Sequence, residues 1–313
     1  MSIWLLLVMF VIGVILVVKG GDLFVDAASW IARAFGIPSF IIGATIVSIA
    51  TTLPEMIVSI TAAVGGQVDM AIGNAVGSVT ANTGLILAIA MIFMTIVIKR
   101  KDYIFQCSLL IASSAVLMIS SQGGSLSTIG SIILIVIFFV FMVKNVKDAK
   151  SAPQSEERQE KDKKTFWANI AKFVIGAAAI VAGSQLLINS GSGIAEFFGV
   201  PDRIIAVTMV AIGTSLPELV TTITSIIKKE SSLSIGNLVG ANIIDLTLIL
   251  PLCSLVSGQA LPVSAASAAI DMPVCLGIVV LALVPLLVRQ KGSKVQGLLV
   301  LGSYLTYLAL TVL

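Results

Sequence analysis

The sequence predicts an all-α, polytopic membrane protein of ten transmembrane helices, arranged as two inverted five-helix repeats. The chain has 313 residues, of which 58% are hydrophobic and 11% charged, and its mean hydropathy is +1.10. Soluble domains are about half apolar and about a quarter charged. Long apolar runs recur between clusters of basic residues, and the second half of the chain repeats motifs of the first. These observations exclude an ordinary soluble globule.

Ten apolar runs are long enough to be membrane spans, since a helix needs about 20 apolar residues to cross a bilayer. The predicted spans are 3–18, 38–64, 71–98, 104–120, 126–143, 169–189, 202–227, 234–257, 268–288 and 295–312. Several are longer than the minimum, so tilted or interrupted helices are expected.

The basic residues predict the orientation. Eighteen of the 19 lysines and arginines lie in the odd-numbered connections between spans, counting Lys172 at the start of the sixth span, and Arg203 alone lies on the other face. Cytoplasmic loops carry such an excess of basic residues. We therefore expect a multi-pass protein of the cell membrane with both termini outside. Residues 1–143 form the first predicted repeat, 144–168 a solvated, largely disordered cytoplasmic linker, and 169–313 the second repeat.

An internal duplication relates the two halves at a constant offset of 163 residues. Residues Thr51–Glu55 (Thr-Thr-Leu-Pro-Glu) match Thr214–Glu218 (Thr-Ser-Leu-Pro-Glu), and Ile72–Asn74 matches Ile235–Asn237 without a gap. Each half has five spans, an odd number, so the second copy enters the membrane upside down. Inverted repeats are typical of transporters whose binding site lies at the membrane midplane.

Three acidic residues lie inside predicted spans: Glu55, Glu218 and Asp245. A charge at bilayer depth costs about 2.5–3.5 kcal/mol or more, so such residues usually face the bundle interior and are functional. Pro54 and Pro217 precede the two glutamates and remove a helical N–H, so both helices should kink or break there.

Polar residues surround each predicted break. Thr51 and Thr52 lie one turn before Glu55, and Thr214 and Ser215 stand likewise to Glu218. The next span of each half adds a second pair, Ser78 with Asn82 and Ala241 with Asp245. Nearby glycines, Gly73, Gly77, Gly236 and Gly240, are expected to allow close helix packing.

This set of side chains offers oxygen ligands. Hard cations such as Na⁺ and Ca²⁺ suit it, whereas soft transition metals do not, and Mg²⁺ gives up its water reluctantly. The chain has no histidine, and its three cysteines lie scattered in apolar runs, as small buried hydrophobes do. We expect no cofactor, no nucleic-acid partner and no obligatory protein partner; the expected partners are the transported ions and the bilayer.

At the two Leu-Pro-Glu motifs and the Gly-Asn segments that follow them, the chain resembles the sodium/calcium exchangers of the cation/calcium exchanger superfamily. The resemblance covers essentially the whole chain. It implies a ten-helix antiporter that exchanges Ca²⁺ for Na⁺ by alternating access. It also implies the ion ligands: the carboxylates of Glu55, Glu218 and Asp245, the amide of Asn82, the hydroxyls of Thr51, Thr52, Thr214, Ser215 and Ser78, and the carbonyls of Ser48 and Ala211.

Two departures from that family pattern leave alternatives open. Ala50 replaces a motif glycine, and Ala241 stands where a serine is usual. Because one sodium site then lacks a hydroxyl, H⁺ is an alternative counter-ion. Asp245 also resembles the potassium-dependent branch, so K⁺ is another. A passive cation channel lined by an acidic ring is a weaker alternative. An intramembrane enzyme is disfavoured because no nucleophile–base pair can be built.

The first and sixth spans lie outside the motif core and carry Gly13, Gly176 and Gly183. We expect them to slide against the core as access alternates.

Overall fold

The computed structural model describes residues 2–94, 96–151, 162–199, 213–258 and 260–312. In these ranges the chain is almost entirely helical. The helices are α1 (Ile3–Phe35), α2 (Ser39–Thr51), α3 (Leu53–Val64), α4 (Val68–Phe93), α5 (Arg100–Ser120), α6 (Thr128–Ser151), α7 (Lys163–Phe197), α8 (Leu216–Ile227), α9 (Ser231–Ser257), α10 (Ser267–Arg289) and α11 (Lys294–Val312). Two short strands, β1 (Ser125–Leu126) and β2 (Leu261–Pro262), pair antiparallel.

Seven of the described helices are long and apolar enough to cross a membrane, and the pair α2 and α3, bent by 45° at their junction, makes an eighth candidate span. The bend confirms the break predicted at Pro54. The first part of the seventh predicted span, 202–227, lies outside the described residues, and α8 covers the remainder. The count of ten spans stays a prediction.

Two predicted spans are parts of much longer helices. The run 3–18 continues as α1 through Lys19 and Arg33, and the run 169–189 lies within α7. Lys19 follows the predicted span, and the helix continues beyond it because a charged residue alone does not stop a helix. The end comes at Gly36, which has a left-handed φ of 66° and is followed two residues later by a proline.

The segment predicted to be a largely disordered linker, 144–168, is helical at both ends. Helix α6 continues to Ser151, and α7 begins at Lys163, where the Asp162 side chain accepts a hydrogen bond from the amide of Thr165 at 3.3 Å. An acidic residue at this position satisfies one of the free N–H groups of a helix start. The part of the segment between them, 152–161, lies outside the described residues.

Helices α1 and α7 pack against each other through glycines. A Cβ on Gly13 would lie 3.1 Å from the carbonyl of Gly183, and one on Gly20 would lie 3.0 Å from the carbonyl of Gly176. The low-numbered glycine of α1 faces the high-numbered glycine of α7, so the helices are antiparallel. Gly176 and Gly183 are the residues that the offset of 163 pairs with Gly13 and Gly20. The two contacts are therefore equivalent, as expected of duplicated helices related by a twofold axis.

A second close contact joins α2 to α9, which come from different halves of the chain. A Cβ on Gly43 would lie 2.3 Å from the carbonyl of Leu233, and Cβ atoms on Gly236 and Gly240 would lie 2.2 Å and 2.5 Å from the carbonyls of Phe40 and Ala44. Side chains larger than hydrogen do not fit there, so the close packing predicted for Gly236 and Gly240 is confirmed. Among described atoms, Gly73 and Gly77 have no such neighbour within 4 Å.

The surface and the interior have the polarity of a membrane protein. Large apolar side chains along α1, such as Val8, Val11 and Ile15, are more than half exposed. Inside the bundle, many serines, threonines and asparagines are buried together with three acidic side chains. This arrangement suits a protein whose outer surface contacts lipid.

Candidate ion-binding site

Each half of the molecule breaks a helix at the same motif position. Thr52, between α2 and α3, has φ −83° and ψ 0°, and Ser215, before α8, has φ −84° and ψ 5°. A proline stands in the first turn of α3 and of α8, where its missing N–H costs no hydrogen bond. Glu55 and Glu218 follow in those first turns, beside the free N–H groups and positive dipole end of each half-helix.

The structure brings the three predicted acids together in the interior. Glu55, Glu218 and Asp245 have no exposed surface. The carboxylate of Glu55 interacts electrostatically with those of Glu218 and Asp245, and Glu218 interacts likewise with Asp245. All six carboxylate oxygens are buried and have no hydrogen-bond donor among the described residues. A buried carboxylate without a hydrogen-bond donor is energetically costly unless a cation or a proton neutralises it.

The acids do not converge on a single point. In the described part of the chain, no three acidic, histidine or cysteine side chains lie close enough to hold one metal ion together. One ion bound among them would therefore have fewer than three carboxylate ligands. Hydroxyl, amide and carbonyl oxygens would complete its shell, as is common for Ca²⁺.

Four of the predicted hydroxyls lie beside the breaks and that of Ser78 lies in α4, and three of the five take part in two contacts between the halves. Thr51 donates to the side-chain oxygen of Asn237 at 3.1 Å, and the hydroxyls of Ser78 and Thr214 lie 3.5 Å apart. Ser215 is 2% exposed, and its hydroxyl has no hydrogen-bond partner among the described residues. Residues of each half therefore build the surroundings of the other half's motif.

Of the two carbonyls implied by the family resemblance, that of Ser48 lies in the bundle interior and that of Ala211 lies outside the described residues. The Ser48 carbonyl accepts hydrogen bonds from the hydroxyl of Thr52 at 2.8 Å and the amide of Thr52 at 2.9 Å, and it lies 3.3 Å from the hydroxyl of Thr51, whose single proton it shares with Asn237. An ion at this oxygen would displace or share one of these donors.

Asn82 and Asp245, 163 residues apart, each begin a short π-helical segment, Asn82–Leu87 in α4 and Asp245–Ile249 in α9. Such π-helical turns are frequent at functional sites. The side-chain amide of Asn82 donates to the Asn242 oxygen at 3.0 Å, so its own oxygen remains buried without a partner among the described residues. That oxygen is a candidate ligand held in one orientation.

Three asparagines of the site were not singled out as functional from the sequence. Asn237 accepts from Thr51, and Asn242 accepts from Asn82 and donates to Thr83 at 2.9 Å. Asn74 donates to the backbone carbonyl of Glu55 at 3.2 Å and to Ser59 at 2.9 Å. A signal existed for two of them, because Gly-Asn recurs in both repeats.

Ala241 is buried beside Asp245 in α9, where the other half has Ser78. The site is therefore not symmetric. One half offers a hydroxyl with an amide, and the other offers a methyl group with a carboxylate.

Comparison with known proteins places these features in a family. The family described as "Sodium/calcium exchanger protein" matches residues 5–147 and 168–313. The chain is 31% identical over 313 residues to the inner membrane protein YrbG of Escherichia coli, covering 96% of this chain and 94% of that protein. It is 30% identical over 344 residues to the sodium/calcium exchanger MaX1 of Methanosarcina acetivorans, covering 95% of each.

The fold is similar to that of a solved structure of the sodium-calcium exchanger NCX_Mj soaked with 10 mM Na⁺ and zero Ca²⁺. The TM-score is 0.85 and the sequence identity 27%, and the match covers 98% of this chain and 99% of that one.

Proposed function

The chain belongs to the sodium/calcium exchanger family and is a membrane protein of cation-exchange transport, and from this we propose that it is a secondary active antiporter that exchanges Ca²⁺ for Na⁺ by alternating access. The observation that supports this most is the buried group of Glu55, Glu218 and Asp245, contributed by both halves of the molecule and lacking hydrogen-bond donors among the described residues.

The charge of this group explains why exchange would be favoured over one-way release. Three ionised carboxylates in a low-dielectric interior repel one another, so leaving the site empty is costly. One divalent ion or two to three monovalent ions neutralise the group about equally well. Alternative cation loads then compete for the same oxygens, and the protein changes conformation readily only when one load is bound.

We assign the remaining ligands to the oxygens that surround this group. They are the side chains of Asn82, Thr51, Thr52, Thr214, Ser215 and Ser78 and the carbonyls of Ser48 and Ala211. The oxygen of Asn82 is free for this role because its amide nitrogen is held by Asn242.

Contacts between connections support ten spans whose connections alternate between the two faces; the proposal that both termini lie outside the cell membrane rests on the basic residues of the odd-numbered connections. The strands β1 and β2 join the fourth and eighth connections. A β-bridge between Val97 and Lys291 joins the third and ninth, and an ion pair of 2.9 Å between Arg33 and Glu230 joins the first and seventh. Even connections meet even ones and odd meet odd, as expected if successive connections alternate sides.

Alternating access would come from α1 and α7 sliding against the rest of the bundle. The two helices contact each other through glycine backbones, so they form a smooth antiparallel pair. Such a pair can move as one body, as bundles do in other inverted-repeat carriers.

The proposal is tested by ⁴⁵Ca²⁺ uptake into proteoliposomes with Na⁺, H⁺ and K⁺ gradients imposed one at a time. Uptake should require the Na⁺ gradient, and Glu55→Gln and Glu218→Gln should each abolish it. Glu196→Gln is the matched control, because Glu196 lies exposed at the end of α7. Parent-like flux in either of the first two variants would show that the site is wrongly assigned.

H⁺ as the counter-ion is a second candidate, favoured by Ala241, which lacks the hydroxyl that a sodium site would use. Uptake driven by a pH gradient without Na⁺ would support it. Ala241→Ser should then increase the share of Na⁺-driven uptake. A flux that responds to Na⁺ alone in the parent chain would eliminate this candidate.

A further inference from the structure

Between the start of α5 and the end of α6 lies a cavity of about 640 Å³ that the ion site does not use. Its wall carries Lys99, Lys101 and Lys144 together with Asp102 and Asp148. It lies at the end of the bundle where the basic residues predict the cytoplasm. Basic pockets between transmembrane helices on that side bind anionic lipid headgroups.

The charges of this cavity suit one anionic phosphate group. Lys144 and Asp148 form an ion pair with each other. Lys99 and Lys101 are in no ion pair with a described residue. Their two positive charges and the negative charge of Asp102 give the wall a net charge of +1. A phosphodiester, which carries a single negative charge, matches this balance.

A buried polar atom in the wall indicates what else the ligand offers. Gln106 is 2% exposed and lines the cavity, and its amide nitrogen donates to the Asn145 oxygen at 3.2 Å. The Asn145 nitrogen in turn donates to the Phe141 carbonyl, which fixes the direction of both bonds. The Gln106 oxygen therefore remains an acceptor, with no donor among the described residues. A headgroup hydroxyl would satisfy it.

An apolar groove adjoins the cavity along the outer face of α6. The two share Phe105 and Lys144, and the groove, of about 460 Å³, is otherwise lined by Val136, Phe139, Val140, Val143 and Lys147. Phe139 is 60% exposed and Val143 is 52% exposed. A polar, basic pocket that opens into an apolar groove is complementary to an amphiphile, with its polar headgroup in the pocket and its apolar chain in the groove.

We propose that this cavity and groove bind an anionic phospholipid with a glycerol headgroup, of the phosphatidylglycerol type. The phosphate lies by Lys99 and Lys101, a headgroup hydroxyl donates to the Gln106 oxygen, and an acyl chain occupies the groove over α6. The site is separate from the ion-binding site and does not depend on which ions are exchanged.

The cavity is connected to the helices of the ion site. The ring of Tyr103 packs on Phe40 with centroids 4.1 Å apart, and its hydroxyl lies 2.8 Å from that of Ser232. Phe40 is in the first turn of α2 and Ser232 in the first turn of α9. A lipid in the cavity therefore supports the ends of the two helices that carry Thr51 and Asp245.

The test is native mass spectrometry of the delipidated full-length protein titrated with phosphatidylglycerol or phosphatidylcholine of the same acyl chains. The parent should prefer phosphatidylglycerol. The double variant Lys99→Gln/Lys101→Gln should lose affinity by about 30-fold, because each basic residue near a membrane contributes a factor of about five. An unchanged melting temperature shows that the variant is folded.

A second basic cavity provides the matched control. Arg289, Lys291 and Lys294 line it on the same end of the bundle, at about 600 Å³, without the apolar groove described above. Lys291→Gln/Lys294→Gln should keep parent affinity. The proposal is overturned if both double variants lose affinity equally, if the Lys99/Lys101 variant binds like the parent, or if the parent does not distinguish the two lipids.

The hydroxyl contact is tested by titrating phosphatidylmethanol, a phosphodiester of the same charge that lacks the headgroup hydroxyls. The parent should bind phosphatidylglycerol more tightly than phosphatidylmethanol, and Gln106→Met should remove that difference while retaining the preference over phosphatidylcholine. A parent that binds phosphatidylmethanol as tightly as phosphatidylglycerol would show that Gln106 does not contact the headgroup hydroxyl.

Discussion

The Asn82 amide nitrogen donates to Asn242, which leaves the Asn82 oxygen free in the interior. Thr83 accepts the other bond of Asn242 at 2.9 Å, so the three side chains form a short chain of hydrogen bonds. All three are 2% exposed or less. An orienting role of this kind matters because a buried amide presents either an acceptor or a donor, and a cation needs the acceptor.

We expect Asn242→Leu to raise the KM for Ca²⁺ by about tenfold, because a buried hydrogen bond to an amide contributes about 1–2 kcal/mol when its loss leaves a partner unpaired. Flux measured over a range of Ca²⁺ concentrations checks this. Thr83→Val removes the outer bond alone and should have a smaller effect. Equal KM values in Asn242→Leu and the parent would mean that Asn82 needs no support.

Glycines determine how closely the elements of the two halves approach each other. A Cβ on Gly236 would meet the Phe40 carbonyl at 2.2 Å, which is far shorter than any real contact of a Cβ atom. The obstacle is backbone, so the helices α2 and α9 would have to separate. The proposed ion site includes Thr51 of α2 and Asp245 of α9, so its geometry depends on this contact.

Gly236→Ala should destabilise the protein by about 2 kcal/mol or more, as overpacking of a tight interface does. Thermal unfolding in detergent measures the effect as a lowered melting temperature. Gly277→Ala in α10 is the control, since no described atom lies within 4 Å of the place its methyl group would take and alanine favours helix over glycine. Similar melting temperatures for the two variants would contradict the close contact.

Movement of α1 against the bundle can be tested where α1 meets the turn after α8. Lys228 forms an ion pair with Asp26 at 2.7 Å there. A cross-link between cysteines in Asp26→Cys/Lys228→Cys should stop Ca²⁺ flux, and a reductant should restore it. The three native cysteines are buried and free, so they interfere little. Normal flux in the cross-linked protein would refute sliding of α1.

The two repeats of the molecule are related by symmetry, but the ion pairs at its two ends are not. Lys228 pairs with Asp22 and Asp26 on the side predicted to be cytoplasmic. The positions related by the offset of 163 are Gly65, Gln185 and Asn189, which carry no charge. Gln185 and Asn189 bond to each other at 3.1 Å instead. If access alternates as we propose, these ion pairs would favour closure of the end predicted to be cytoplasmic.

Lys228→Gln should increase the population that opens to the cytoplasm. Because apparent affinity on one face scales with the population open to it, the apparent Ca²⁺ affinity at the cytoplasmic face should rise by about two- to fivefold, the worth of partly exposed ion pairs. Transport in inverted and right-side-out vesicles measures it. Lys229→Gln, beside it and in no ion pair with a described residue, should leave both faces unchanged. An equal response of the two variants would speak against the role of the ion pairs.

The membrane class, the duplication at an offset of 163 and the broken helix at Pro54 could all be predicted from the amino-acid sequence. Composition, repeated motifs and the missing N–H of proline are properties of the sequence itself, so they do not depend on how the chain packs. The continuation of α1 from Lys19 to Phe35 was not predicted, because an apolar run indicates a membrane span and not where the helix ends.

Tertiary structure alone decided which groups meet. Thr51 and Asn237 are 186 residues apart, Asn82 and Asn242 are 160 apart, and Gly236 lies against Phe40 from the other half. Such pairings depend on how the two halves pack in three dimensions, and no spacing along the chain encodes them. The orientation of each proposed ligand and the residues that hold it depend on how the two repeats pack against each other, so only the tertiary structure shows them.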